Sequence, residues 1–132
     1  ICTNQGLLVT AGTIYLSLMG PTGLRATLEK SYENANLLRT KLLELDGVEP
    51  FFTGSTSLHE IALKLPIESC VLVQELLEHK ILAGIEMAPF SVDLPDAESG
   101  LIIAVTEKRT RSEIEDYVKR FSQVLARQLE TV

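Results

Sequence analysis

From Ile1 to Leu24 the chain carries no charged residue. Within that run Gln5 to Met19 reads as a helix, and Thr3 or Asn4 is placed to cap it, because a short side-chain oxygen accepts a free amide of the first turn. Its apolar residues (Leu7, Leu8, Val9, Ile14, Leu16, Leu18, Met19) spread over nearly the whole circumference. A helix apolar on several sides must be buried on more than one. With 132 residues the chain can build one core, which leaves little material to wrap such a helix. The run is therefore expected to meet something outside this chain, either the rest of a parent polypeptide or a partner subunit. The start at Ile1, without methionine, reads as that of a fragment or processed product. No membrane is expected, because Leu7 to Met19 falls short of the ~20 apolar residues that span a bilayer. Thr10, Gly12, Thr13 and Ser17 also interrupt it.

Gly20-Pro21 ends this helix and starts another, proline being favoured in a first helical turn. The second runs from about Thr22 to Leu45. Leu24, Leu28, Tyr32, Ala35, Leu38, Leu42 and Leu45 recur three or four apart as a single stripe. Val48 to Thr53 and Leu58 to Leu65 read as two strands of an antiparallel hairpin joined by Gly54 to Ser57. The second strand alternates, with Ile61, Leu63 and Leu65 on one face and Glu60 and Lys64 on the other. A helix from about Ser69 to His79 should turn Val73, Leu76 and Leu77 inward. Ile81 to Asp96 is loop-like with a short edge strand near Ile81 to Ile85. Leu101 to Val105, apolar throughout, predicts a central strand covered on both faces. Thr110-Arg111-Ser112-Glu113 fits a capping box that opens the last helix, whose core stripe is Ile114, Tyr117, Val118, Phe121, Val124 and Leu125. The expected fold class is α/β of the α+β type: a small, mostly antiparallel sheet with helices on one face.

The formal net charge of −6 argues against nucleic acid as a partner, because phosphate binding needs clustered Lys and Arg. The best such cluster, Lys108, Arg109 and Arg111, is interleaved with Glu107 and Glu113. Cys2 and Cys70 make no disulfide framework and no metal spacing, which fits a reduced, cytoplasmic chain. His59 and His79 lack ligand-spaced partners, so no metal site is expected. Cys70 reads as a small core residue, and Glu68, Glu75 and Glu78 as a solvated helix face. Two segments stand out. Thr3, Asn4 and Gln5 set hydrogen-bonding side chains at a helix start, where free amides can also hold an anion. Thr106 to Thr110 lies between a buried strand and a capped helix, where a ligand-facing side chain or a plain charged turn would both fit.

Three stretches carry a resemblance: Ile1-Cys2-Thr3-Asn4-Gln5, Tyr15-Leu16-Ser17-Leu18-Met19-Gly20-Pro21-Thr22-Gly23-Leu24, and Val105-Thr106-Glu107-Lys108-Arg109-Thr110. Together they resemble glycine decarboxylase, the P-protein of the glycine cleavage system, and specifically subunit 1 of the two-subunit bacterial form. The match runs the length of the chain and covers only the C-terminal portion of that subunit. Lys80 to Gly100 follows the family pattern less closely, around Glu86-Met87-Ala88-Pro89-Phe90.

The resemblance implies a cytoplasmic glycine dehydrogenase (aminomethyl-transferring, decarboxylating), an oxidoreductase of glycine catabolism. It would share the fold of aspartate aminotransferase, with this chain as the small C-terminal domain. Residues 1–20 would be a leading helix at the interface to an absent large domain, and 21–132 the small domain proper. Pyridoxal phosphate would supply the electron sink in the parent enzyme, and the aminomethyl group would pass to the lipoyl H-protein. The lysine that holds the cofactor belongs to subunit 2, so no catalytic or cofactor-binding residue is carried onto this chain. Thr3, Asn4 and Gln5 become candidates for the interface or active-site edge. On this reading the isolated chain is inactive and self-associates through its uncovered helix. Two other readings stay open: a free-standing regulatory α/β domain that dimerises through its first helix around a small ligand, and an interaction domain for a carrier protein.

Overall fold

Alternation along one short strand sets the architecture. Ile61, Leu63 and Leu65 are buried while Glu60 is exposed and Ala62 and Lys64 are half-buried, so this strand has one inner and one outer face. The structure is a computed structural model that describes residues 5–54, 57–90 and 93–130. In chain order its elements are α1 (Gly6–Leu42), β1 (Glu49–Pro50), β2 (Glu60–Lys64), α2 (Ser69–Glu78), β3 (Ile85–Glu86), β4 (Gly100–Ala104) and α3 (Arg111–Glu130). Single 3₁₀ turns at Ala88–Phe90 and Ala97–Ser99 lead into β4. The strands form one antiparallel sheet in the order β1-β2-β4-β3. Ile61 lies opposite Ile103 and Leu63 opposite Leu101, which joins the inner faces of the two central strands into one apolar surface.

The helices pack on that surface. Leu42, Leu63, Leu72, Leu76, Leu101 and Phe121 are completely enclosed, or nearly so, and draw α1, α2, α3 and both central strands into one core. The capping box at the start of α3 forms as expected: the Glu113 amide donates to Thr110 Oγ1 at 3.2 Å, and the Thr110 amide donates to Glu113 Oε2 at 2.7 Å. At the edge, Tyr117 donates its phenolic hydroxyl to the Ala83 carbonyl at 2.6 Å, which ties α3 to the segment before β3. Burial pushes that phenol well above its ordinary value of 10, so it stays a neutral donor. Gly84 makes the turn into β3 at φ 157, and a side chain there would run into the Ile102 carbonyl.

Four expectations change. The stripe of α1 enters the core only from Ser31 onward, at Ser31, Asn34, Ala35, Leu38 and Leu42. Leu24 and Leu28 are exposed because no other described element runs beside that part of the helix, and Tyr32 because it stands roughly 100° around the helix from Ser31, off the core-facing side. In α2 the inward residues are Ser69, Leu72 and Leu76, while Leu77 faces out at 55% exposure. Strand β4 is fully covered on its inner face, where Leu101 and Ile103 are buried, and unevenly on its outer face, where Gly100 is buried against Met87 and Phe51, Ile102 is half-buried and Ala104 is exposed. All three helices lie on the same side, so the outer face of the sheet is covered only in part, by Met87 and Phe51 at its Gly100 end. Finally, both hairpin strands are shorter than their apolar runs, and Ser55 and Thr56 of the expected turn lie outside the described residues.

Truncating Phe121 to alanine should remove about 3–5 kcal/mol of stability, whereas Leu77→Ala should cost under about 1 kcal/mol. Urea unfolding of the two variants measures both values, and equal losses would contradict the assigned core.

Candidate functional site

The uncharged leading segment forms the first part of α1. All the described residues from Gln5 to Leu18 are exposed, and Leu7 and Leu18 are above 80%. The helix breaks at Gly20, whose φ 59 and ψ −178 fall in a region that glycine alone occupies readily. Two helical bodies therefore meet at Gly20-Pro21, as the sequence suggests. The apolar residues do not encircle the first body. At about 100° per residue, Ile14, Leu7, Leu18, Tyr15, Leu8, Met19, Leu16 and Val9 sweep roughly 220°. Thr10, Thr13 and Ser17 fill a separate sector of roughly 60°. Each of these hydroxyls donates back to the carbonyl four residues earlier: Gly6 at 3.0 Å, Val9 at 2.9 Å and Thr13 at 2.7 Å. By length and composition α1 contains an 18-residue stretch apolar enough to cross a membrane, and none of that stretch is buried. The sequence estimate counted only Leu7 to Met19 and missed this. The break at Gly20 nevertheless leaves Gly6 to Gly20 a straight reach of roughly 22 Å, less than the ~30 Å hydrocarbon layer.

Of the three candidate edge residues, Thr3 and Asn4 lie outside the described residues. Gln5 stands at the cap position of α1, exposed, and its side chain makes no capping hydrogen bond.

The other candidate segment, Thr106 to Thr110, is held from beneath by two residues that the periodicity did not single out. Asn34 is 3% exposed, and its side-chain amide donates to the Thr106 carbonyl at 3.0 Å and the Arg109 carbonyl at 2.8 Å. Ser31 accepts the Glu107 amide at 3.0 Å and donates to the Thr27 carbonyl at 2.9 Å, with Glu107 Oε2 at 3.4 Å. The β4–α3 loop is thus fixed to α1 through its backbone, which leaves the side chains of Lys108 and Arg109 outside. The missed signal was two polar residues three apart on an otherwise apolar helix face, a pattern that calls for buried hydrogen-bond partners. Glu113 sits beside this loop, and its carboxyl is held below the ordinary 4.5, first by the Thr110 amide, then by the Thr110 hydroxyl, with Arg109 adding to the effect.

Two open depressions flank the sheet. One, of about 270 Å³, lies against the outer face and is lined by Arg39, Pro50, Phe52, Ser57, Ala62 and Ile102. The other, of about 780 Å³, includes Glu60, Lys80, Arg109, Glu113, Asp116 and Tyr117 in its lining. Its three carboxylates against two cations give no consistent attraction for either sign of ligand. Cys70 is half-buried, and burial followed by the neighbouring Glu68 carboxylate raises its thiol pKa, the reverse of a nucleophile's need. Among the described residues no group of three or more His, Cys, Asp or Glu could hold a metal ion. None of the lysines is buried. Lys64 is ion-paired to Asp96 at 2.6 Å, and that hydrogen bond raises its pKa, whereas a lysine that forms an imine needs a lowered one.

Asn34→Ala should lower stability by about 1–3 kcal/mol and speed amide exchange in 106–110, since two inner carbonyls lose their donor. Hydrogen exchange with mass readout measures this, and an unchanged loop would count against the clamp. For Glu113 the lowered pKa in the folded state means a stabilising contribution that is present above about pH 4.5 and disappears as pH falls through the lower folded value. The stability gap between the parent chain and Glu113→Gln should accordingly close in acid. A gap that widened below pH 4 would contradict the assigned sign.

Comparison with known proteins gives the following. The family described as glycine cleavage system P-protein matches residues 1–121. The probable glycine dehydrogenase (decarboxylating) subunit 1 of Nitrosospira multiformis is 41% identical over 125 residues, 95% of this chain and 27% of the relative. The counterpart from Methylococcus capsulatus is 40% identical over the same shares. Among solved structures, the glycine decarboxylase (P-protein) of the glycine cleavage system, in inhibitor-bound form, superposes with a TM-score of 0.79 at 31% identity. That superposition covers 95% of this chain and 27% of that one. A NifS-like protein superposes at 0.65 over 78% of the chain with 18% identity, a likeness of fold alone. The chain thus spans about a quarter of the length of the curated relatives it matches.

Proposed function

The chain belongs to the glycine cleavage system P-protein family, and we propose that it is the C-terminal domain of a glycine dehydrogenase (decarboxylating) subunit 1. The observation that carries this reading is the exposed, uncharged leading helix in a chain that matches only about a quarter of each relative's length. An apolar surface of that size is ordinary where it faces other protein and costly where it faces water. In this assignment residues 1–20 form the contact to the large domain of the same subunit, and residues 21–132 form the small domain.

The whole enzyme would be a cytoplasmic oxidoreductase that decarboxylates glycine with pyridoxal phosphate. It would pass the aminomethyl group to the lipoyl H-protein and work beside subunit 2. When bound, the cofactor supplies the electron sink for loss of carbon dioxide. No lysine of this chain is assigned to hold that group, and Lys64 is already ion-paired to Asp96. The lysine that holds it is assigned to subunit 2, and this domain supplies shape and interface. Thr3, Asn4 and Gln5, which come just before the leading helix in sequence, are the residues proposed to approach the interface or the active-site edge.

The isolated chain, mixed with pyridoxal phosphate and treated with borohydride, should gain no stoichiometric pyridoxyl adduct by mass spectrometry. A one-to-one adduct on a single lysine would overturn the division of roles. In light scattering the same chain should associate as its concentration rises, because the leading helix lacks its cover. A monomer at high concentration would remove the main support for an absent neighbour.

A further inference from the structure

The leading helix has two unlike sides. One is the apolar arc of roughly 220° that includes Leu7, Leu8, Tyr15 and Leu18. The other is the narrow edge of Thr10, Thr13 and Ser17, whose hydroxyl protons are already used on the helix's own carbonyls. We infer that in the parent polypeptide the leading helix lies in a three-sided groove of the same chain, with its apolar arc enclosed and its hydroxyl edge left facing water. This rests on the assignment of the chain to a larger subunit and adds how the helix is oriented there.

The width of the arc selects the occupant. A second copy of this helix, packed alongside, would cover a stripe of only ~100° on each, so more than half of the arc would stay wet. A bilayer would enclose the hydroxyl edge together with the arc, over a reach of roughly 22 Å that ends in the non-helical Gly20. A groove in a folded body covers a wide arc and leaves one edge out. The matched relatives have such a body to offer, since this chain covers only 27% of their length. The solved glycine decarboxylase likewise carries the aligned region within a chain of which this one covers 27%. The absence of any charge from Gln5 to Leu24 suits enclosure, where an unpaired ion would be costly.

The test is alkylation of the complete parent polypeptide bearing single new cysteines, read peptide by peptide in the mass spectrometer. Leu8→Cys and Leu18→Cys probe the arc, and Thr10→Cys and Ser17→Cys probe the edge. In the folded protein the arc positions should react at least about tenfold more slowly than the edge positions, and all four should react alike in denaturant. Equal rates in the folded protein would overturn the proposal. Protection that vanishes on dilution would assign the arc to a second copy instead, and protection that needs added lipid vesicles would assign it to a membrane. Should the arc variants fail to fold, radical footprinting of the unaltered parent gives the same answer: Leu8, Leu18 and Met19 must oxidise more slowly than in the isolated chain diluted until it is monomeric. Glycine decarboxylation by the same preparation, reconstituted with subunit 2, pyridoxal phosphate and lipoyl H-protein, keeps the two readings apart. Activity with unprotected arc positions sinks the groove alone, and protected arc positions in a reconstituted mixture inactive on glycine sink the enzyme assignment alone.

Discussion

One apolar surface organises this chain: the inner face of the two central strands, made by Ile61, Leu63, Leu101 and Ile103. All three helices reach the core that forms on it, and every other feature takes its place from that packing. The second part of α1 is a core element because Ala35, Leu38 and Leu42 sit there. Its first part projects past the core and leaves its apolar residues uncovered. The outer sheet face is only partly covered for the same reason, since helices crowded to one side cannot shield the other.

Sequence periodicity found what that surface dictates and missed what it does not. The strand alternation at Ile61, Leu63 and Leu65, the capping box at Thr110 and the stripe of α3 are local patterns with local causes, and each appears as read. Leu24, Leu28 and Tyr32 fit the helical stripe equally well, yet they lie in water. A stripe records which side of a helix would face a neighbour, and only the tertiary arrangement decides where the neighbour ends. Leu72 in place of Leu77 is the same kind of error within a ten-residue helix, where a small rotation changes which leucine points inward. The uniform apolar run Leu101 to Val105 suggested two covered faces because hydrophobicity alone does not count the helices available.

The candidate site shows the same division. Its place between a buried strand and a capped helix drew attention to Thr106 to Thr110, but the side chains that fix this loop, Ser31 and Asn34, sit more than seventy residues earlier. No local pattern links them, and only the register of α1 against the β4–α3 loop brings them together. The break at Gly20 was legible because glycine and proline act on their own backbone. What surrounds the helix before that break was not legible as a partner, only as a need for one.

The sheet's margins have a separate consequence. Both edge strands are two residues long, and one of them includes Pro50, which has no amide hydrogen to offer. The opposite margin carries Glu86 beside Ile85. Short, interrupted margins make poor templates for strand-by-strand growth between molecules. A molecule with this much grease on its leading helix is therefore steered away from fibril-like stacking, and whatever sticking it does is left to side chains on a helix, where contacts come apart more readily than a shared ladder of amides.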